Sequence, residues 1–216
     1  KAGASDILFA GGEPFALENP FWIFNYAKEL GLGVGIISNG SLITEELIEK
    51  LPSNVDITIS FHAPNEEKYF EITGMSGVFE NTVNGLRALN NLDIKPGILY
   101  TPTQLNKNSL FDTVQYLIEN KIDFSCLQLN RLIPEGSACQ NWEQLKINFL
   151  EYKNLLDQMI RIKQFWPDVR VEVGDAVPYC SFEEKYYEFF VRCDYGITLV
   201  AIDEFGNVKR CPCKKE

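Results

Sequence analysis

A chain of 216 residues is long enough for one large domain, or for one domain and an appendage, with a sizeable core. Its 45% hydrophobic and 23% charged residues are ordinary for a globular protein in water, and a formal charge of −10 argues against a duplex nucleic-acid partner or an anionic membrane surface, both of which call for a basic face. No run of about 18 apolar residues is present to span a membrane, and no signal-peptide core opens the chain, so a cytoplasmic location is expected.

The chain starts at Lys1 rather than Met and ends at Cys-Pro-Cys-Lys-Lys-Glu; both ends are expected to be cut from something longer. Ile7 to Ala10 reads as a short buried strand that runs into Gly11-Gly12-Glu13-Pro14. Pro14 cannot donate to a ladder and ends the strand, while the two glycines let a ligand approach the main chain. Glu13 then lies at the carboxyl end of a buried strand, where parallel α/β folds place their chemistry, and a carboxylate there suits an ammonium group. The bland alternative is a tight turn with a solvated acid.

Asn19 and Pro20 look like the cap and first residue of a helix whose stripe is Phe21, Phe24, Tyr26, Ala27 and Leu30. Val34 to Ile37 is the next strand, leading into Ser38-Asn39-Gly40. A helix from Thr44 to about Leu51 follows, then a strand from Val55 to Phe61 that ends at His62-Ala63-Pro64. Further along come a helix from about Phe79 to Leu92, a strand from Lys95 to Tyr100, a helix from Leu110 to Asn120 and a strand from Phe124 to Leu129. Asn130-Arg131-Leu132-Ile133-Pro134-Glu135-Gly136 then precedes one long helix predicted over Trp142 to Gln164. Short strands joined by helices mean parallel pairing with right-handed crossovers. The expected fold is α/β, a partial (β/α)6 TIM-like barrel without its first βα unit, over residues 1–167. An open doubly wound sheet is the alternative. Residues 168–216 read as an appendage: a strand at Val169 to Val173, an aromatic segment from Phe182 to Phe190, and a β-hairpin with its turn at Asp203 to Asn207.

The polar signals fall on the loops after successive strands: Gly11, Gly12 and Glu13; Ser38 and Asn39; Ser60 and His62; Asn130 and Arg131. Together they offer a carboxylate for an ammonium group, small groups for hydroxyls and a guanidinium for a carboxylate, which suits a cofactor that contains an amino acid. Tyr100, Tyr179 and Asp175 are candidates for the cleft wall. His62 is the only histidine, so a histidine-rich zinc site is excluded. No nucleophile elbow, phosphate loop or dinucleotide fingerprint occurs. Cys126 lies in a predicted strand and reads as inert. Cys180, Cys193, Cys211 and Cys213 crowd around the hairpin; four thiolates on one metal centre fit them better than disulfides, and softness alone does not separate zinc from iron–sulfur.

These residues resemble the radical S-adenosylmethionine (SAM) enzymes with a C-terminal cluster-binding extension of the SPASM or twitch type. Gly11-Gly12-Glu13-Pro14 is similar to that family's GGEP motif, Ile37 to Gly40 to its T-N-G segment, Ile59 to Phe61 to its I-S-L segment, and Cys193, Gly206 and Cys211 to the opening of its extension. The resemblance implies that Glu13 and its backbone hold the methionyl ammonium of SAM. It likewise implies that Ser38, Asn39 and Ser60 contact its ribose and carboxylate, that Arg131 lies near the carboxylate, and that Leu132 and Ile133 lie near the adenine. It implies an auxiliary iron–sulfur cluster at the four terminal cysteines and a [4Fe–4S] cluster whose C-x-x-x-C-x-x-C ligands do not occur in this sequence and would lie before Lys1. It also implies a 5′-deoxyadenosyl radical that modifies a peptide or protein side chain, and an electron donor such as flavodoxin or ferredoxin. His62-Ala63-Pro64 departs from the Asp-Gly that often follows I-S-L, so no role for that acid carries over. A zinc-stapled peptide-binding domain without activity is the reading from another class, and a metal-free α/β enzyme the third.

Overall fold

The computed structural model describes residues 3–192 and 194–211. Six strands, β1 (Asp6–Phe9), β2 (Gly33–Ser38), β3 (Val55–Ser60), β4 (Gly97–Tyr100), β5 (Cys126–Leu129) and β6 (Val171–Val173), form one parallel sheet in the order β1-β2-β3-β4-β5-β6. Sheet neighbours are sequence neighbours throughout. Every crossover therefore moves one strand in the same direction, and right-handed crossovers of that kind put all the helices on one face. The helices are α1 (Phe21–Glu29), α2 (Glu45–Ile48), α3 (Glu66–Thr73), α4 (Val78–Asn91), α5 (Leu110–Glu119), α6 (Ser137–Gln140), α7 (Trp142–Leu145) and α8 (Phe149–Phe165). The doubly wound alternative puts helices on both faces and is set aside.

The strands alternate accordingly. Ile36, Ile57, Ile59, Ile98, Leu127, Leu129 and Val173 are buried in one cluster with Leu86 and Leu89 of α4, Leu117 of α5, and Leu155 and Met159 of α8. The opposite face carries half-buried Thr58, Ser60, Gln128 and Glu172, interleaved with Gly33, Gly35 and Gly97. Side chains fold across those glycines: a Cβ on Gly33 would fall 2.0 Å from an Asp6 carboxylate oxygen, and one on Gly35 2.8 Å from a Leu8 methyl. A sheet covered on both faces reads as unbroken apolar runs; this one is apolar toward the helices, and its open face is small or polar apart from Leu8, Ile37 and Leu99.

Two sequence expectations are corrected. Pro20 is the residue before α1 rather than its first, and it makes no side-chain cap. The helix predicted over 142–164 is two helices. Lys146 is extended, and Asn148 opens α8 with a capping box: its side chain accepts from the Glu151 N–H at 2.9 Å, and the Glu151 carboxylate accepts from the Asn148 N–H at 2.8 Å. The expected boundary at residue 167 falls between α8 and β6. β6 lies beyond it yet pairs with β5, Val173 bridges to Phe190, and Tyr186, Phe189 and Phe190 are buried in the main core.

Farther on, β7 (Ala201–Ile202) and β8 (Val208–Lys209) pair antiparallel. Asp203 organises the turn between them, accepting from the Phe205 and Asn207 N–H groups at 3.0 and 2.9 Å. Hydrogen bonds, those from Asn207 foremost, hold its carboxyl down at about 2. Among the described residues no helix is long and apolar enough to cross a membrane.

Candidate functional site

All six strands point the same way, so their carboxyl ends and the loops that follow line one edge of the sheet. At the β1 end, Gly11 and Gly12 both take positive φ, +86° and +54°, and nothing lies within 4 Å of where a Cβ on either would stand. The main chain is thus open at two consecutive residues, in a conformation that other side chains enter only with strain.

Glu13, half-buried, turns back to the neighbouring strand. Its Oε1 accepts from the Ser38 hydroxyl at 2.8 Å and from the Phe15 N–H at 3.2 Å, and its Oε2 accepts from the Asn39 N–H at 2.7 Å. Pro14 is buried directly behind it. A carboxylate has about four acceptor sites. Three are filled by the protein, and the open one is on Oε2, the oxygen that also bonds the exposed Asn39 backbone. The donor set therefore fits a ligand N–H group: the carboxylate is fixed in place and still has capacity. Ser38 is 2% exposed and also accepts from the Gly40 N–H at 2.9 Å, so it serves the loop rather than solvent. The Asn39 side chain accepts from the Ser41 N–H and hydroxyl at 2.8 and 2.7 Å.

α4 braces this loop from behind. The Thr82 hydroxyl donates to the Asn39 carbonyl at 3.0 Å, and Gly85 lies so close that a Cβ there would fall 2.3 Å from the Gly40 carbonyl oxygen.

At the β3 end, Ser60 is on the open face, and its carbonyl accepts from the Tyr69 hydroxyl at 3.0 Å. His62 stands between two loops. Its Nδ1 accepts from the Thr101 N–H at 3.2 Å, which puts the imidazole proton on Nε2. Its carbonyl accepts from the Asn106 amide at 3.1 Å. Asn106 is wholly buried and ties this corner together, also donating to the Thr101 carbonyl and accepting from the Thr103 N–H. Sequence reasoning passed over Asn106; the signal was a turn-forming residue three places after Thr103. Tyr100 was expected in the cleft wall and is not there: it is fully buried on the helix side, its hydroxyl donating to the Asn106 carbonyl at 2.6 Å.

Burial lowers the His62 pKa to about 4. The unfolded chain takes up a proton near 6.5 and the folded one does not until about 4, so folding is favoured above that window and loses the advantage as pH falls through it. Relative to pH 7, urea midpoints at pH 4.5 should fall further for the native protein than for His62→Asn, by up to about 3 kcal/mol in the derived stabilities. Equal acid losses in the two proteins would refute a neutral, half-buried imidazole.

At the β5 and β6 ends the polar residues divide between the two faces. Asn130 lies beside Gln128 on the open face, where a Cβ on Gly174 would fall 2.2 Å from the Asn130 side-chain oxygen. Arg131 lines a cavity with Leu132 and Tyr152 of α8. Its N–H donates to the Asp175 carboxylate, and its Nε lies 4.0 Å from the same oxygen. Glu13, Ser38 and Asn39 are thus one connected group, whereas Arg131 is engaged elsewhere. Tyr179 is partly exposed and donates to the Phe190 carbonyl at 3.1 Å.

Of the cysteines, Cys126 is half-buried on the open face beside Glu172; burial, then that carboxylate, pushes its thiol up to about 12, so it stays protonated and inert. Cys180 is exposed and Cys211 half-buried. Cys193 and Cys213 lie outside the described residues. Among the described residues no three His, Cys, Asp or Glu side chains are grouped to hold a metal.

Comparison with known proteins follows the same outline. The family model described as "Radical SAM superfamily" matches residues 1–117, more than half of the chain. An AdoMet-dependent heme synthase of Methanosarcina barkeri is 31% identical over 71% of this chain and 43% of its own length. The mycofactocin maturase MftC of Mycolicibacterium smegmatis is 27% identical over 95% of this chain and 52% of its own length. Among solved structures, Streptococcus suis SuiB bound to S-adenosylmethionine superposes with a TM-score of 0.73 at 18% identity, covering 96% of this chain and 48% of SuiB, and SuiB has also been solved with its precursor peptide SuiA. At that identity the likeness shows the fold. The chain spans about half the length of the curated relatives it matches.

Proposed function

The chain belongs to the radical SAM superfamily, and from that premise we propose that it is part of a radical SAM oxidoreductase that modifies a side chain of a peptide or protein. The observation that carries the proposal is the Glu13 carboxylate, fixed by Ser38, Asn39 and Phe15 with an acceptor site to spare, next to two glycines whose main chain is open. In this reading Gly11, Gly12 and Glu13 hold the methionyl ammonium, and the open face at Ser60 and Asn130 receives the rest of the cofactor. The sheet is the partial barrel and its polar face the lumen. His62, neutral and bonded through Nδ1, positions the β3 loop against the β4 loop and neither donates nor removes charge near neutral pH.

SAM and a reduced [4Fe–4S] cluster supply a 5′-deoxyadenosyl radical when bound; the protein supplies position and seclusion. The cluster ligands are not in this sequence, and an electron donor such as flavodoxin or ferredoxin would serve the cluster. The division of the chain is proposed to fall after the last core aromatic, Phe190, rather than at 167, with Cys193, Cys211 and Cys213, joined by Cys180, as auxiliary-cluster ligands. The peptide substrate is supported by the maturase names among the relatives and by the peptide-bound SuiB structure.

Full-length protein, reconstituted anaerobically and reduced, is expected to convert SAM to 5′-deoxyadenosine. It should also hold more iron and labile sulfide than its Cys193→Ala and Cys211→Ala variants, by Mössbauer and elemental analysis. No 5′-deoxyadenosine would sink the enzyme reading. One zinc and no labile sulfide would leave the zinc-stapled binding domain in its place.

A further inference from the structure

The open face of the sheet carries an amide that the protein itself leaves unused. Asn130 follows β5 directly and is half-buried. Its main-chain N–H donates to the Tyr100 carbonyl at 2.9 Å, while its side chain makes no hydrogen bond among the described residues. That side chain lies where a neighbour has none. Gly174 follows β6, and a Cβ there would fall 2.2 Å from the Asn130 side-chain oxygen and 2.7 and 2.8 Å from Cδ and Cγ of Gln128. Both amides therefore lie across the main chain at Gly174, in space that any other residue would fill. Gly174 does not take positive φ, so its backbone conformation alone does not call for glycine. Gln128 has a partner of its own, its amide donating to Glu172 at 3.4 Å. Asn130 keeps a free acceptor and free donors side by side.

We propose that Gly174 is a positioning residue for the cofactor: it lets the Asn130 amide lie flat and pair, donor and acceptor together, with the amino-bearing edge of the adenine of SAM. The inference rests on the cofactor reading above and names the groups that recognise the far end of that cofactor. Order along the carboxyl edge of the sheet selects the adenine. Glu13 follows β1, Ser60 ends β3 and Asn130 follows β5, two strands apart each time. SAM carries its ammonium at one end, its ribose in the middle and its base at the other end. With the ammonium on Glu13, the base comes to the β5 side, across four strand spacings of about 4.8 Å that shorten as a sheet curls. The chemistry agrees. Adenine presents an acceptor nitrogen beside its amino donor, the pattern that an asparagine amide meets with two hydrogen bonds. A carboxylate or an ammonium group would use only half of that amide.

The test titrates 5′-deoxyadenosine and 5′-deoxynebularine, whose purine lacks the amino group, into the full-length reconstituted protein by calorimetry, with SAM titrated separately. The native protein is expected to bind 5′-deoxyadenosine about tenfold more tightly than 5′-deoxynebularine, a ratio within the reach of one two-bonded amide–base contact. Asn130→Ala should erase that preference. Gly174→Ala should erase it as well, although it touches no ligand, because its methyl displaces the amides. The atoms it meets belong to side chains that can swing away, so its urea midpoint should stay near the native one. A glycine that serves packing alone would change stability and leave the preference between nucleosides intact. Equal binding of the two nucleosides by the native protein overturns the inference, as does a preference that survives in either variant. Unfolding of Gly174→Ala overturns the positioning role too, since it assigns the glycine to packing. Failure of SAM itself to bind overturns the proposed function instead.

Discussion

Glu13→Gln is expected to weaken SAM binding by roughly 10- to 100-fold in the full-length, reconstituted protein, and Glu13→Ala to unfold more easily as well. The native carboxylate accepts from Ser38, Phe15 and Asn39 while keeping one acceptor site on Oε2. Glutamine has one carbonyl oxygen. If that oxygen keeps the Ser38 and Phe15 bonds, the amide nitrogen is left facing the Asn39 N–H, donor against donor, and the charge that would meet an ammonium is gone. Hydrogen bonds to charged groups contribute roughly 1.5–3 kcal/mol, which converts to the fold-change stated. Alanine goes further. It leaves the hydroxyl of Ser38, 2% exposed, without its acceptor and frees two backbone donors, a loss of about 2–4 kcal/mol in stability. Calorimetric SAM titration and urea unfolding of both variants separate the roles. If the glutamine variant lost stability and kept native SAM affinity, Glu13 would be a turn residue and nothing more.

The same cluster marks how far residues alone could be read. Ile7 to Pro14 carried its own signals: an apolar run, two glycines, an acid and a proline. The structure places that acid at a strand end. Parallel pairing followed from the strand–helix alternation, and the six-strand order agrees. Arg131 is less legible. Sequence position groups it with Glu13 as a strand-end polar residue; it lies two residues beyond the end of β5, exposed, with its N–H on the Asp175 carboxylate. Past Leu129 the period of two no longer assigns faces, so the sequence held no signal for where its side chain would go. The cap at Asn148 was equally visible as an Asn followed three residues later by Glu; a long apolar stripe outweighed it. Tyr152 is a different case. Its buried hydroxyl has no hydrogen-bond partner, and no local pattern encodes that.

α4 supplies the second large effect, and there two tendencies oppose each other. Gly85 lies inside α4, where glycine is about 1 kcal/mol less favourable than alanine, so propensity alone expects Gly85→Ala to stabilise the protein. The packing says the reverse. An alanine Cβ would stand 2.3 Å from the Gly40 carbonyl oxygen, 3.2 Å from the Ile43 Cβ and 3.3 Å from the Gly40 carbonyl carbon. The first of these is a backbone atom, so no rotamer change relieves the overlap. Gly40 has little freedom to retreat: it takes φ +78°, its N–H is bonded to Ser38, and a Cβ placed on it would itself fall 2.9 Å from an Ile59 methyl. Either the helix moves out or the loop moves forward, and overpacking of this kind costs roughly 1–3 kcal/mol, enough to exceed the propensity gain. The displaced loop carries Asn39, whose N–H holds Glu13 and whose carbonyl holds Thr82. Gly85→Ala should therefore lower the urea midpoint and weaken SAM binding together, although Gly85 touches no ligand in the proposed site. A stabilised variant with native SAM affinity would mean that helix propensity wins and that the contact between α4 and the 39–40 loop does not set the position of Glu13.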